Sequence, residues 1–198
     1  MARPREFDTD KALRDMTALF WEFGYTATSM HDLERATGVG KQSLYRAFGD
    51  KRGMYLAALA AYERGEISAS AQLLDMPGSA AARFGRLFGH IIDSAIADGD
   101  RRGCFLCNAS TDQAPLDPAT GKLIAEMIAR LEDTFTETLM TAAPDPLPRE
   151  TARKSARGIM AGYLGLRVLV KAGAARDLLE AAAEQILSIL RQPASSQA

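Results

Sequence analysis

Apolar residues recur along this chain at intervals of three and four almost from end to end, and no segment alternates with a period of two. That periodicity predicts helices and no sheet. Leu13, Met16, Phe20 and Phe23 open the series and predict a helix from Asp8 or Thr9 that stops at Gly24. Ser29 with Asp32 before Leu33 has the form of a capping box, so a second helix is expected from about Met30 to Ala36. Gly38-Val39-Gly40 offers two residues free to take positive φ around one apolar plug. A third helix follows from Lys41 to Phe48, with Leu44 and Phe48 on one face. Leu13, Phe20, Leu33, Val39, Leu44 and Phe48 would close the three into a small bundle.

Beyond Asp50 the expected elements lengthen. One helix from 50 to about 74 carries Met54, Leu56, Ala57, Leu59, Ala60 and Ile67, and Asp75-Met76-Pro77-Gly78 breaks it. Further helices are expected from Ser79 to Ala97, from near Cys104, from Pro118 to Thr141, over 150–171 and over 175–191, with a stiff loop at 143–148. The fold class is therefore all-α. Residues 1–50 form an N-terminal three-helix domain, and a connecting helix joins it to a C-terminal helical bundle within residues 51–198. Arg3 and Arg5 would lie on a loose arm, and Pro193 to Ala198 on a polar tail.

Composition narrows the function. The 198 residues are 47% hydrophobic, enough for a sizeable core, and the net charge of -1 argues against a protein that coats nucleic acid wholesale. Any contact with DNA must come from a local patch. Arg35, Lys41, Arg46, Lys51 and Arg52 face the single acid Asp50 between residues 35 and 52, a local excess of four positive charges. No apolar run reaches the roughly 18 residues of a membrane span, and the start, MARPREFD, is polar. A cytoplasmic protein with no membrane partner is expected. Two cysteines in such a chain do not make a disulfide framework. No phosphate-binding glycine loop, zinc-protease motif or nucleophile elbow occurs, so neither an enzyme nor a cofactor is expected.

The stretch TSMHDLERATGVGKQSLYRAFGDK, Thr28 to Lys51, has the form of a helix-turn-helix whose second helix turns polar, hydrogen-bonding and cationic residues outward. GVGKQSLYRAFGDK resembles the recognition segment of TetR-type transcriptional regulators, with a Gly-Val turn, a short helix ending Leu-Tyr-x-x-Phe and a Lys opening the next helix. The likeness spans about the first 55 residues. Gly40 departs from it, standing where members often carry a Ser or Thr cap. Chemistry and resemblance together assign Lys41, Gln42, Ser43 and Arg46 to base edges. Thr28, Ser29, Tyr45 and Lys51 are assigned to phosphates, as matching positions commonly are in the family. The expected partner is a double-stranded DNA operator with an inverted repeat, read by a homodimer. The expected function is a dimeric repressor released by a small-molecule or redox/electrophile signal. The alternative is a DNA-binding protein whose helical second half is only a constitutive assembly or partner-docking module.

In the second half, Arg101-Arg102-Gly103-Cys104-Phe105-Leu106-Cys107-Asn108 places two thiols three residues apart beside two arginines. The segment resembles the Gly-Cys-Phe/Leu-Leu motif of one TetR subgroup, in which the first cysteine has sensory roles in some members. Cys104 and Cys107 are open to three readings: buried packing, a redox or electrophile switch with Lys171 as a neighbour, or metal binding. An apolar effector pocket would draw on Phe88, Ile91, Phe105, Met127, Leu131 and Tyr163, with Asn108, Gln113 or Arg167 orienting a polar group, although core packing explains the apolar ones as well. The last two helices are rich in small residues. Ile159, Tyr163, Leu179, Ala183, Ile186 and Leu190 are expected at a dimeric four-helix interface, or else to bury one another within one chain.

Overall fold

The structure, a computed structural model, describes residues 7–191, so the arm with Arg3 and Arg5 and the tail from Pro193 lie outside the described residues. Every regular element among the described residues is helical: α1 (Thr9–Ala27), α2 (Met30–Thr37), α3 (Lys41–Phe48), α4 (Lys51–Tyr62), α5 (Ser68–Asp75), α6 (Ala80–Ala97), α7 (Phe105–Asp112), α8 (Pro118–Thr141), α9 (Arg149–Lys171) and α10 (Arg176–Ser188). A π-helical turn, Glu63–Ile67, lies between α4 and α5, so the single helix expected from 50 to 74 is helical throughout but not α-helical throughout. None of the helices among the described residues is long and apolar enough to cross a membrane.

Packing gathers the chain into two compact units. The first holds the chain up to Ile67 together with Asn108–Ile124; the second holds Ser68–Cys107 and the chain from Ala125 onward. The sequence division at residue 50 thus differs from the packing division in two ways: α4 belongs with α1–α3, and a segment from the middle of the chain joins them.

In the first unit, Asp8 caps α1 by accepting from the Lys11 amide at 2.8 Å. Ala12, Met16 and Phe20, at four-residue steps, face inward and are essentially fully buried. Trp21 joins them, packing edge-on against Tyr62 at 4.9 Å between centroids. Phe23, the last residue of the expected apolar stripe, is 54% exposed, because the core follows the Met16–Phe20 line and Trp21 takes the place next to it. Leu33 of α2 and Leu44 of α3 are fully buried, while Leu13, Val39 and Phe48 lie half-buried at the edge of the bundle. Asp50 caps α4 through the Gly53 amide at 2.8 Å. Only glycine fits at 53, since a Cβ there would stand 2.2 Å from the Phe48 carbonyl oxygen.

The second unit is organised around Phe84, Leu87, Phe88, Ile91 and Ile92 of α6, Leu131, Phe135 and Leu139 of α8, and the inner faces of α9 and α10. Phe135 meets Phe84 at 5.0 Å and Tyr163 at 5.6 Å, both edge-to-face. The small residues of α9 are used within the chain. A Cβ on Gly162 would lie 2.5 Å from Ile186, and one on Gly158 would lie 3.3 Å from Ile189, so glycine brings α10 directly onto α9.

Candidate nucleic-acid interface

The N-terminus of α2 is built as its sequence specifies. Ser29 Oγ accepts from the Asp32 amide at 3.1 Å, and Asp32 Oδ2 accepts from the Ser29 amide at 3.0 Å. These bonds, the Ser29 hydroxyl first, hold the Asp32 carboxyl below its ordinary value. Arg35 pairs with Asp32 one turn later at 3.2 Å. Helix α2 ends at Gly38, which takes the left-handed conformation with φ 68°, and its amide donates to Glu34.

The turn differs from expectation at its second glycine. Gly40 is extended, with φ -64° and ψ 147°, and serves as the N-cap of α3 without a side chain to cap with. Glu34 supplies the missing acceptor: its Oε1 takes the Lys41 amide at 2.6 Å. The first turn of α3 is therefore capped from α2, which fixes the hairpin and draws on a residue that the sequence alone did not single out.

Leu44 anchors α3 with no exposed surface, so the opposite side of this short helix faces out. Lys41, Gln42, Tyr45 and Arg46 are exposed and Ser43 is half-buried. The Lys41 ammonium lies 5.4 Å from the centre of the Tyr45 ring. Of the five cations in this region, Arg35 is paired with Asp32 and Arg52 with Asp117 at 2.8 Å. Lys41 and Arg46 remain on the outer side of α3.

The phosphate candidates separate into two groups. Ser29 is exposed at the helix start and Tyr45 stands out from α3. Thr28, by contrast, is 1% exposed, and its hydroxyl donates to the Gly24 carbonyl at 2.7 Å. Its side chain has no outward face, which removes it from the phosphate set. Lys51, at the first position of α4, is half-buried and folds its ammonium over the Tyr25 ring at 4.3 Å. Burial pushes that ammonium down from its ordinary value and Asp112 partly restores it.

An anchored short helix with a cationic, amide-bearing outer side is the arrangement that enters a major groove. Residues 16–58 match the model of the "Bacterial regulatory proteins, tetR family". The HTH-type transcriptional regulator YezE of Bacillus subtilis (strain 168), itself uncharacterized, is 32% identical over 194 residues, covering 96% of this chain and 100% of that protein.

The chain belongs to the TetR family.

The HTH-type transcriptional repressor ComR of Escherichia coli (strain K12) is 36% identical over 114 residues, 57% of this chain and 54% of ComR. A cysteine mutant of the TetR family transcriptional regulator CifR, solved with 26bp double-strand operator DNA, superposes with a TM-score of 0.80 at 27% identity, covering 94% of this chain and 98% of that one. The family and fold are those of DNA-binding transcriptional regulators, not of enzymes.

The apolar pocket candidates of this TetR-family chain lie deep in its second unit. Phe88, Ile91, Leu131 and Tyr163 are buried members of the core cluster, and Phe105 and Met127 have no exposed surface. Burial pushes the Tyr163 phenol up, reinforced by Cys104, and Ser70 hydrogen-bonds to it. Arg167 donates to the Gly103 carbonyl. Two polar candidates, Asn108 and Gln113, fall instead in the first unit, where the Asn108 amide donates to the Trp21 carbonyl at 3.2 Å. They do not stand with the apolar pocket candidates.

Cys104 is buried immediately before α7, Cys107 is half-buried in its first turn, and both are free thiols. The hydrogen bond between them, followed by burial, pushes the Cys107 thiol up, and its sulfur lies 3.9 Å from the Leu164 carbonyl oxygen. Lys171 is exposed. Its aliphatic stem packs on Gly103, where a Cβ would come within 2.9 Å of Lys171 Cβ. Among the described residues no group of three metal-ligating side chains comes together.

Ile159 and Leu179 have no exposed surface within a single chain, and Tyr163, Ala183 and Ile186 have 9% or less. Leu190 is half-buried against the same core. These residues face inward, onto one another, and have almost nothing left to offer a partner.

Proposed function

We propose that this chain is a homodimeric TetR-family repressor that binds an inverted-repeat operator through α3 and leaves it on a small-molecule or oxidant/electrophile signal. Residues 1–50 read DNA and residues 51–198 sense and dimerise. The observation that carries the reading is the outer side of α3: Lys41, Gln42 and Arg46 exposed beside Ser43, on a helix fixed by buried Leu44 and capped by Glu34. Arg46 suits guanine and Gln42 adenine. Ser29, Tyr45 and the amides at the start of α4 hold phosphates. CifR, solved on operator DNA, and ComR, a repressor by name, support the reading by likeness.

An inverted repeat requires two heads about 34 Å apart or a multiple of that. The dimer face proposed here is the outward side of α9 and α10, opposite the buried residues. Ala161, Gly165 and Val168 follow one another on α9 at spacings of four and three, with Leu178 and Ala181 on α10, and all five are exposed. Val168 and Leu178 are 56% and 52% exposed, the kind of surface that a second copy covers. A signal works by changing the separation of the two heads, and a coupling of about 1–3 kcal/mol is the ordinary scale of such linkage.

The thiol pair is the signal site proposed here. Cys104 is assigned as the first thiol to react on the resemblance of its Gly-Cys-Phe-Leu segment, and Cys107, hydrogen-bonded to it, as the thiol that resolves it. A peroxide oxidises the Cys104 thiol to a sulfenic acid and leaves water; the Cys107 thiol then displaces a second water to close a disulfide. DNA binding by the purified protein to its own upstream region, reduced and then peroxide-treated at fixed salt, tests this. Release that a thiol reverses and that Cys104→Ser abolishes is the expected result. Binding indifferent to oxidation removes the thiols and directs the search to an organic effector among Phe88, Ile91, Phe105, Met127, Leu131, Tyr163 and Arg167. Indifference to every effector tried leaves the second half as a constitutive assembly module.

A further inference from the structure

Helix α1 does not run unbroken to its end. At Gly24 the backbone leaves helical geometry, with φ 77° and ψ 179°, three residues before Ala27 closes the element. In an unbroken helix the Tyr25 amide would donate to the Trp21 carbonyl, four residues earlier. Here each of those two groups bonds to a side chain of α7. The Tyr25 amide donates to Asp112 Oδ2 at 3.2 Å, and Asn108 Nδ2 donates to the Trp21 carbonyl at 3.2 Å. Asn108 and Asp112 are four apart, hence on one face of α7, and between them they supply one acceptor and one donor, the complement of what the kink frees.

The fit is close at both ends. A Cβ on Gly24 would lie 3.0 Å from Asp112 Oδ2, so the carboxylate approaches closely at a position whose φ already favours glycine. The splinted turn carries Tyr25, whose ring holds the Lys51 ammonium and meets Tyr55 edge-on at 5.2 Å. Its Gly24 carbonyl takes the Thr28 hydroxyl, next to the Ser29 cap of α2. Five residues beyond Asp112, Asp117 caps α8 through Thr120 at 3.0 Å and binds Arg52, the second residue of α4, at 2.8 Å. The segment Asn108–Ile124 therefore fastens both the helix that leads into the reading hairpin and the helix that leaves it.

We propose that Asn108 and Asp112 are positioning residues for DNA recognition. They replace the helical bond lost at Gly24 and so set the direction in which α2 and α3 leave α1. This rests on the assignment of α3 as the DNA-reading helix. A helix-turn-helix docked at a slightly wrong angle still meets phosphates but loses base contacts, so the predicted loss falls on sequence preference and not on general DNA affinity.

The test measures affinity for the protein's own upstream operator and for a scrambled duplex, for wild type, Asp112→Ala, Asp112→Asn and Asn108→Ala. Asp112→Ala and Asn108→Ala are expected to lower operator affinity roughly 5-fold or more while scrambled-DNA affinity stays within about 2-fold. Asp112→Asn, which keeps an oxygen to accept from Tyr25, is expected to recover most of the preference. Operator preference unchanged in both alanine variants overturns the proposal. So does an equal loss on both duplexes with a lowered melting temperature and no recovery by asparagine, since the pair would then merely stabilise the fold. A wild-type protein with no operator preference would instead refute the role of α3.

Discussion

Arg46 projects from the exposed side of α3 with no ion-pair partner among the described residues, so its guanidinium is available to a base edge without breaking anything in the protein. Arg46→Ala is expected to weaken operator binding by about 1–3 kcal/mol and to relax preference at one base position, measured across a set of single-base operator variants. An equal loss on all of them would reassign it to a phosphate. Asp32 gives a pH-dependent prediction. Its folded value is depressed, so the capping box stabilises above the ordinary carboxylate range and the stabilisation is lost as pH falls through the folded value. The thermal stability gap between wild type and Asp32→Ala should therefore be constant near neutrality and close below about pH 4. A gap unchanged down to the lowest pH at which the protein stays folded would mean that the stabilisation does not come from the ionised carboxylate. The box itself was legible because its two members stand three apart. The capping of α3 by Glu34 was not, since it joins residues seven apart across a turn, and no spacing rule anticipates that. Thr28 was misplaced for a related reason: sequence shows a hydroxyl beside a helix start, and only the kink at Gly24 turns it inward.

Among the elements, the long α8 was anticipated to the residue, since Pro118 opens it and its periodic stripe is unbroken. The faces of α9 and α10 were harder. A stripe of Ile, Leu and small residues looks the same whether it meets its own chain or a copy, and sequence left both open. Burial places Ile159, Leu179 and Ile186 within the chain. Ile186→Asp would accordingly put a charge against Gly162 and is expected to destabilise the fold by about 3 kcal/mol or more. Val168→Asp, on the outward stripe, is expected to split the proposed dimer with little change in monomer stability, read by light scattering beside thermal unfolding. A dimeric Val168→Asp protein would rule out that face. Gly53→Ala forces a methyl toward the Phe48 carbonyl and should lower the melting temperature of the head.

Across the whole molecule, the course of the chain is less simple than two consecutive domains. The chain returns to its N-terminal unit at Asn108–Ile124, through bonds between residues 87 apart in sequence, which periodicity cannot register. The hairpin proposed to read DNA, by contrast, is local, and its turn, cap and charge reversal lie within about 24 residues of sequence. That is why the function was more legible than the packing. Reading of sequence by α3, as opposed to mere binding of a polyanion, is what the proposed function depends on. Competition between the protein's own upstream DNA and a scrambled duplex of the same length and composition, at about 150 mM salt, tests it most directly. A preference of roughly 10³-fold or more is predicted. Equal affinity for the two duplexes would contradict it.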